Sequence, residues 1–291
     1  VAFRAAPAAA GVVAALGLLE ELRVRRRERR ERIGGVSERG EAARRRRARP
    51  IASAPGPSYA NDMDFSHVRV WIFDLDNTLY PPEAQLFAQI ETRMTQWMMR
   101  ALGVPQDDAN RLRAEYWRLH GTTLAGLMAE HAVDPAAYLA DVHDIDFSVL
   151  DPAPDLAQAI AALPGRRIIH TNGDARYARK VLAGRGLHEE ELFEAVYGIE
   201  ETGFHPKPAR EAFDRVLAQA RIDPREAAFF EDDPRNLLVP HQLGMRTVLV
   251  GQGRHGPDSL ADDADHGVHV QHRTDDLAAF LRRIAPTAAA N

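Results

Sequence analysis

At 291 residues the chain has room for one α/β domain with an insertion, or for two small domains. It contains no cysteine, which excludes disulfides, thiolate metal ligands and a cysteine nucleophile, and no apolar run reaches the roughly 18 residues that cross a bilayer, so no membrane partner is expected and the protein reads as soluble and cytoplasmic. The net charge of −5 is unevenly spread, because residues 1–60 carry 14 Arg against 6 Glu, a net +8 that leaves −13 for residues 61–291.

The N-terminal segment is Ala-rich and mildly apolar from Ala5 to Leu19, and Arg blocks follow at Arg23–Arg32 and Arg44–Arg49. A secretion signal places its charge before the apolar run, whereas only Arg4 precedes it here. An Arg-rich arm is one way to bind nucleic acid, but almost no aromatic residue is interleaved with it and no nucleic-acid-binding fold is recognisable. The expectation for residues 1–62 is a disordered or partly helical extension, with a linker at Pro50–Pro57. The globular pattern begins near Met63, and a start of translation there would leave residues 1–62 out of the protein.

Val70-Trp71-Ile72-Phe73 predicts a strand buried on both faces. It runs into Asp74-Leu75-Asp76-Asn77-Thr78, and two like charges so close cost free energy unless a cation or a proton is shared. A metal-assisted site is therefore the first expectation. The period then becomes helical, with Leu86, Phe87, Ile90, Met94, Trp97, Met98 and Ala101 at spacings of three and four and Gly103 as a stop. Further helices are expected over Asp108–His120, over Thr123–His131, and from the Asp134-Pro135 cap to His143.

After Pro154 the pattern alternates. Helices are expected at Asp155–Leu163, Ala175–Gly184 (capped by Asp174) and Pro208–Ala220. Strands are expected at Arg167–His170, Ala195–Ile199, Ala227–Phe230 and Thr247–Val250. Alternation of this kind predicts parallel pairing with right-handed crossovers. The fold class is thus α/β, a doubly wound, Rossmann-like parallel sheet over residues 63–80 and 151–291, with a small all-α cap inserted over residues 81–150.

Polar clusters close the predicted strands: Asp74 and Asp76, Thr171 and Asn172, Lys207 slightly later, then Glu231 and Asp232. In a doubly wound sheet those ends converge on one crevice. With FDLDNTLY at 73–80, HTNGD at 170–174, HPKP at 205–208 and FFEDDPRNL at 229–237, the sequence resembles the haloacid dehalogenase-like hydrolase superfamily over residues 67–285. Within it, the DNTLYP run, the TNGD element and the ED-x-x-x-N-L pattern look most like the pyrimidine 5′-nucleotidase-type phosphatases.

The resemblance implies Asp74 as a nucleophile toward a phosphomonoester, passing through an aspartyl phosphate. It implies Mg2+ held by Asp74, Glu231, Asp232 and the main-chain carbonyl of Asp76, an all-oxygen set that suits magnesium better than zinc. Asp76 would protonate the leaving alkoxide and then deprotonate water; haloacid dehalogenases of the superfamily lack this acid. Thr171 and amides near Asn172 would hold phosphate oxygens, and Lys207 would balance their charge. Lys207 is one of only two lysines among 37 basic residues, which fits a site wanting a compact charge.

Plainer roles compete at several positions. Thr78 is expected to satisfy the turn after the strand, Asp233 to be an outlying acid, Arg235 and Asn236 to start a helix, and Lys180 to be solvated. Tyr80, Tyr116, Trp117, His120, His131, His143 and Asp144 are candidates for the mouth of the site, with the run from His143 to Asp146 the strongest. The substrate expected is a small phosphorylated metabolite, and the resemblance implies a pyrimidine nucleoside 5′-monophosphate. The alternatives are a phosphomutase of the β-phosphoglucomutase type, which shares these residues, and a non-catalytic nucleic-acid binder acting through the basic arm.

Overall fold

The computed structural model describes residues 63–252 and 267–285; the extension expected over residues 1–62, with its linker at Pro50–Pro57, lies outside them. By internal contacts the chain divides into residues 63–97 with 106–291, and residues 1–62 with 98–105. The first unit holds the sheet and every residue of the candidate site. Of the second, the described part is the end of one helix and the turn after it.

Among the described residues six strands form one parallel sheet: β1 (Val70–Phe73), β2 (Arg166–His170), β3 (Ala195–Tyr197), β4 (Ala227–Glu231), β5 (Arg246–Val250) and β6 (His272–Thr274), in the order β3-β2-β1-β4-β5-β6. The chain steps outward through β2 and β3 on one side of β1, then crosses to β4 and steps outward on the other. The strand order reverses beside β1, which is where such a sheet leaves a crevice beyond its carboxyl ends. All four β1 residues are buried, as their unbroken apolar run requires in a strand covered on both faces. Trp71 satisfies its indole N–H by donating to Pro164 O at 2.7 Å. β6 has no apolar run and escaped the sequence reading; pairing with β5 places it.

The helices are α1 (Leu86–Leu102), α2 (Gln106–His120), α3 (Thr123–His131), α4 (Pro135–Val142), α5 (Pro154–Ala161), α6 (Ala175–Gly184), α7 (Glu189–Leu192), α8 (Arg210–Ala220), α9 (Leu238–Leu243) and α10 (Leu277–Ile284). The first five intervene between β1 and β2, and two of them begin on a capping side chain. Thr122 accepts from Ala125 N at 3.1 Å ahead of α3, and Asp134 accepts from Ala136 N at 3.1 Å ahead of α4. Gly126 lets α2 and α3 close together, since a Cβ there would lie 2.3 Å from Tyr116 Cγ.

One face of the sheet packs Val70, Ile72, Ile168, Phe229 and Leu249 against Phe213, Val216 and Leu217 of α8. That helix begins at Arg210, two residues later than Pro208 suggested. The delay follows from Lys207, whose main-chain N–H and C=O are both held by the Asn172 side chain. A residue before proline is also biased away from helix. Among the described residues no helix is long and apolar enough to cross a membrane.

Candidate active site

β1 hands Asp74 out of the sheet in register, its N–H still donating to Phe230 O at 2.9 Å. The turn beyond closes on Leu75 O, which accepts from Thr78 N at 3.3 Å and Leu79 N at 2.9 Å. Asn77 sits there at φ 55°, a left-handed conformation that asparagine tolerates. Contrary to expectation the Thr78 hydroxyl does not serve this turn. It is buried with no hydrogen-bond partner among the described residues, because the main chain closes the turn alone.

β4 delivers Glu231 as its last residue and Asp232 immediately after. One carboxylate oxygen from each of Asp74, Glu231 and Asp232 lies within 4.8 Å of the other two, and all three residues are buried. Lys207, 1% exposed, donates from Nζ to Asp74 Oδ1 at 2.6 Å and to Glu231 Oε2 at 2.7 Å. Its ammonium lies 5.3 Å from the centre of the Phe229 ring.

Two of the three buried carboxylates thus share one ammonium. Burial, with help from the Glu231 charge and against Lys207, pushes Asp74 up to about 7. Burial pushes Glu231 up as well. Burial disfavours the Lys207 cation, but Asp74 and Glu231 outweigh it and its pKa rises. The cluster is short of positive charge, and its donors are hard oxygens of the kind a Mg2+ ion takes.

Beyond β2, Thr171 N donates to Tyr197 O at 3.0 Å, and its Oγ1 accepts from Gly173 N at 3.0 Å, so its hydroxyl proton remains to be donated. Asn172 turns its carboxamide toward the Lys207 main chain. Oδ1 accepts from Lys207 N at 2.8 Å and Nδ2 donates to Lys207 O at 3.1 Å. The side chain therefore sets the lysine loop.

Asp76 stands apart, and its carboxylate is not among the clustered oxygens. Its Oδ1 accepts from Tyr80 OH at 2.7 Å and from Tyr177 OH at 2.5 Å. Burial, and then the Asp76 charge, hold both phenols well above their usual pKa of 10, so both remain donors. Tyr177 was not singled out in the sequence. Its main-chain N–H is held by the helix-capping Asp174, whose Oδ1 accepts from it at 2.8 Å.

Asp233 accepts from Arg235 N at 3.0 Å and from Arg235 Nη2 at 2.6 Å. The Arg235 guanidinium lies 3.4 Å from the centre of the Trp117 ring on α2. Arg235 thus does more than start a turn, and no linear spacing pairs residues 117 and 235. The other mouth candidates pair away from the cluster: Tyr116 OH with His131 Nε2 at 2.7 Å, His120 with Glu130 at 3.9 Å, and Asp144 with Arg93 at 3.0 Å.

A family model for haloacid dehalogenase-like hydrolases matches residues 68–244, a span that contains every cluster just described. The chain belongs to that family. The hydrolase is 24% identical over 208 residues to validoxylamine A 7′-phosphate phosphatase of Streptomyces hygroscopicus subsp. limoneus, covering 67% of this chain and 90% of that protein. It is 23% identical over 198 residues to Phosphate metabolism protein 8 of Saccharomyces cerevisiae, covering 62% of this chain and 61% of that one, less than two thirds of its length. Among solved structures, a haloacid dehalogenase-like family hydrolase from Streptococcus pneumoniae superposes with a TM-score of 0.52 at 17% identity, over 75% of this chain and 99% of the other. A HAD phosphatase from Thermococcus onnurineus gives 0.50 at 18% identity, over 75% and 97%. At these identities the likeness is one of fold.

Proposed function

We propose that this hydrolase is a Mg2+-dependent phosphomonoester phosphatase that acts through an aspartyl phosphate on Asp74. One observation carries the reading: three buried carboxylates and a buried lysine meet at the strand-order reversal, while a fourth carboxylate, Asp76, is held apart by neutral hydroxyls. Asp74, Glu231, Asp232 and the main-chain carbonyl of Asp76 would hold the ion. When bound, it neutralises the charge that otherwise keeps a carboxylate from a phosphate. Asp74 attacks phosphorus, the ester P–O bond breaks, and Asp76 gives its proton to the leaving alkoxide. Asp76 then takes a proton from water, whose oxygen attacks the aspartyl phosphate and frees inorganic phosphate and Asp74. Lys207 and the Thr171 hydroxyl stabilise the transferred group.

Residues 81–150 are proposed as a cap closing over a small substrate. The substrate proposed is a pyrimidine nucleoside 5′-monophosphate, supported by the DNTLYP, TNGD and ED-x-x-x-N-L patterns. The Streptomyces relative's name, a phosphatase of a 7′-phosphate, supports the ester class. Phosphate release from a panel of nucleoside 5′-monophosphates and sugar phosphates, with Mg2+ and with EDTA, tests both. Release is expected only with Mg2+ and fastest with pyrimidine nucleotides. No release from any ester, or release that persists in Asp74→Asn, overturns the mechanism; a sugar phosphate turned over faster overturns the nucleotide assignment alone.

A further inference from the structure

Both hydrogen bonds on Asp76 fall on one oxygen. Tyr80 OH and Tyr177 OH donate to Oδ1, and among the described residues no hydrogen bond falls on Oδ2. The two phenols arrive from different elements, Tyr80 from the segment leaving β1 and Tyr177 from the first turn of α6. Both are buried, 2% and 1% exposed, whereas Asp76 is only half-buried. An oxygen that already accepts two O–H bonds is a poor place for a third proton. The proton of the acid form is therefore directed to Oδ2.

Tyr177 is itself held at two points. Its main-chain N–H is capped by Asp174 Oδ1 at 2.8 Å, while its ring stacks on the His143 imidazole with centres 4.2 Å apart and planes at 13°. The other Asp174 oxygen meets His143 Nδ1 at 2.8 Å. Burial alone would raise Asp174, but His143 and the Tyr177 N–H outweigh it and hold its carboxyl below the usual range. His143 directly follows α4, at the return of the helical insertion. One residue of that insertion thus braces a ring whose hydroxyl fixes Asp76.

Resting on the reading of Asp76 as acid and base, we propose that Tyr80 and Tyr177 are positioning residues for Asp76, which reserve Oδ1 as an acceptor and present Oδ2 to the leaving oxygen, and that His143 with Asp174 positions Tyr177. The role is specific to proton delivery. It matters for an alkyl ester, whose alkoxide must be protonated, and hardly at all for p-nitrophenyl phosphate, whose nitrophenolate leaves without a proton.

The test compares the first turnover, by rapid mixing, of p-nitrophenyl phosphate and of the alkyl ester turned over fastest by the wild-type protein. Tyr177→Phe is expected to slow the alkyl ester about 10-fold and the aryl ester less than about 3-fold, with KM little changed for either. Tyr80→Phe is expected to lose less in the same direction and to serve if Tyr177→Phe does not fold; His143→Gln, which keeps a donor toward Asp174 but no ring, should also discriminate. Equal losses on the two esters, or none, in folded Tyr177→Phe and Tyr80→Phe overturn the inference alone. Equal losses in Asp76→Asn overturn the acid role beneath it, and wild-type protein that releases phosphate from neither ester overturns both.

Discussion

Asp74 and Asp76 are separated by one residue and occupy opposite electrostatic settings. Asp74 is buried among charges: two other carboxylates and one ammonium. Asp76 is half-buried among neutral donors, two phenols that cannot ionise at ordinary pH. Identical side chains are thereby suited to different work. In the proposed mechanism the first setting holds a nucleophile whose charge a bound cation would stabilise. The second offers Asp76 only neutral hydrogen-bond donors.

The widest separation between the two should appear on removing each carboxylate in turn. Asp74→Asn is expected to lower phosphate release by at least about 10^3-fold on alkyl and aryl esters alike, as removal of a nucleophile does. Equal sensitivity to ester type in Asp74→Asn and Asp76→Asn would erase the distinction.

Lys207→Met tests the charged side. The lysine is fully buried, and its loss leaves Asp74 and Glu231 without their counter-charge, which costs about 3–5 kcal/mol when one partner of a buried ion pair is removed. Urea unfolding in EDTA near pH 8 should show that loss. It should shrink near pH 5, where the carboxylates can bind protons instead. A loss independent of pH would mean that packing, not charge, is what Lys207 supplies.

Mg2+ should act on the same side. Burial raises Asp74 to about 7 and raises Glu231, against ordinary values of 3.8 and 4.5, so below 7 the cation-free folded protein binds protons that the unfolded chain has released. Its stability therefore falls as pH rises from about 4 to about 7. An ion that favours the charged carboxylates should raise the melting temperature little near pH 5 and progressively more toward pH 7, with proton release on binding. A gain unchanged across that window would show that the ion does not compete with protons here.

Much of the charged setting was legible in the sequence. A carboxylate at the end of an apolar strand is local information, and four polar clusters at successive strand ends imply convergence through sheet topology. β1, α3 and α6 were delimited to the residue because their apolar periods and their caps, Thr122 and Asp174, coincide. The neutral setting was not legible. Tyr177 meets Asp76 across 101 positions of sequence, and nothing in a tyrosine inside a helix period announces a hydroxyl aimed at a strand end. β6 escaped for a related reason: three residues without an apolar run acquire strand geometry only from β5.

The smallest expected effect concerns the link between the acidic cluster's flank and the helices. Arg235 reaches Asp233 with its ends and covers Trp117 with its plane, so it joins the turn after β4 to α2. Arg235 is about a third exposed, at 37%, so solvent screens its pairing with Asp233 and the stack should matter more than the charge. A double-mutant cycle of Trp117→Ala and Arg235→Ala is expected to give a coupling of about 0.5–1 kcal/mol in urea unfolding, the range for an exposed cation-π contact. The first-turnover ratio between alkyl and aryl esters should not change in either variant, because neither residue touches Asp76 or its phenols. A shift in that ratio would mean that the charged and neutral settings communicate through α2 and are not independent.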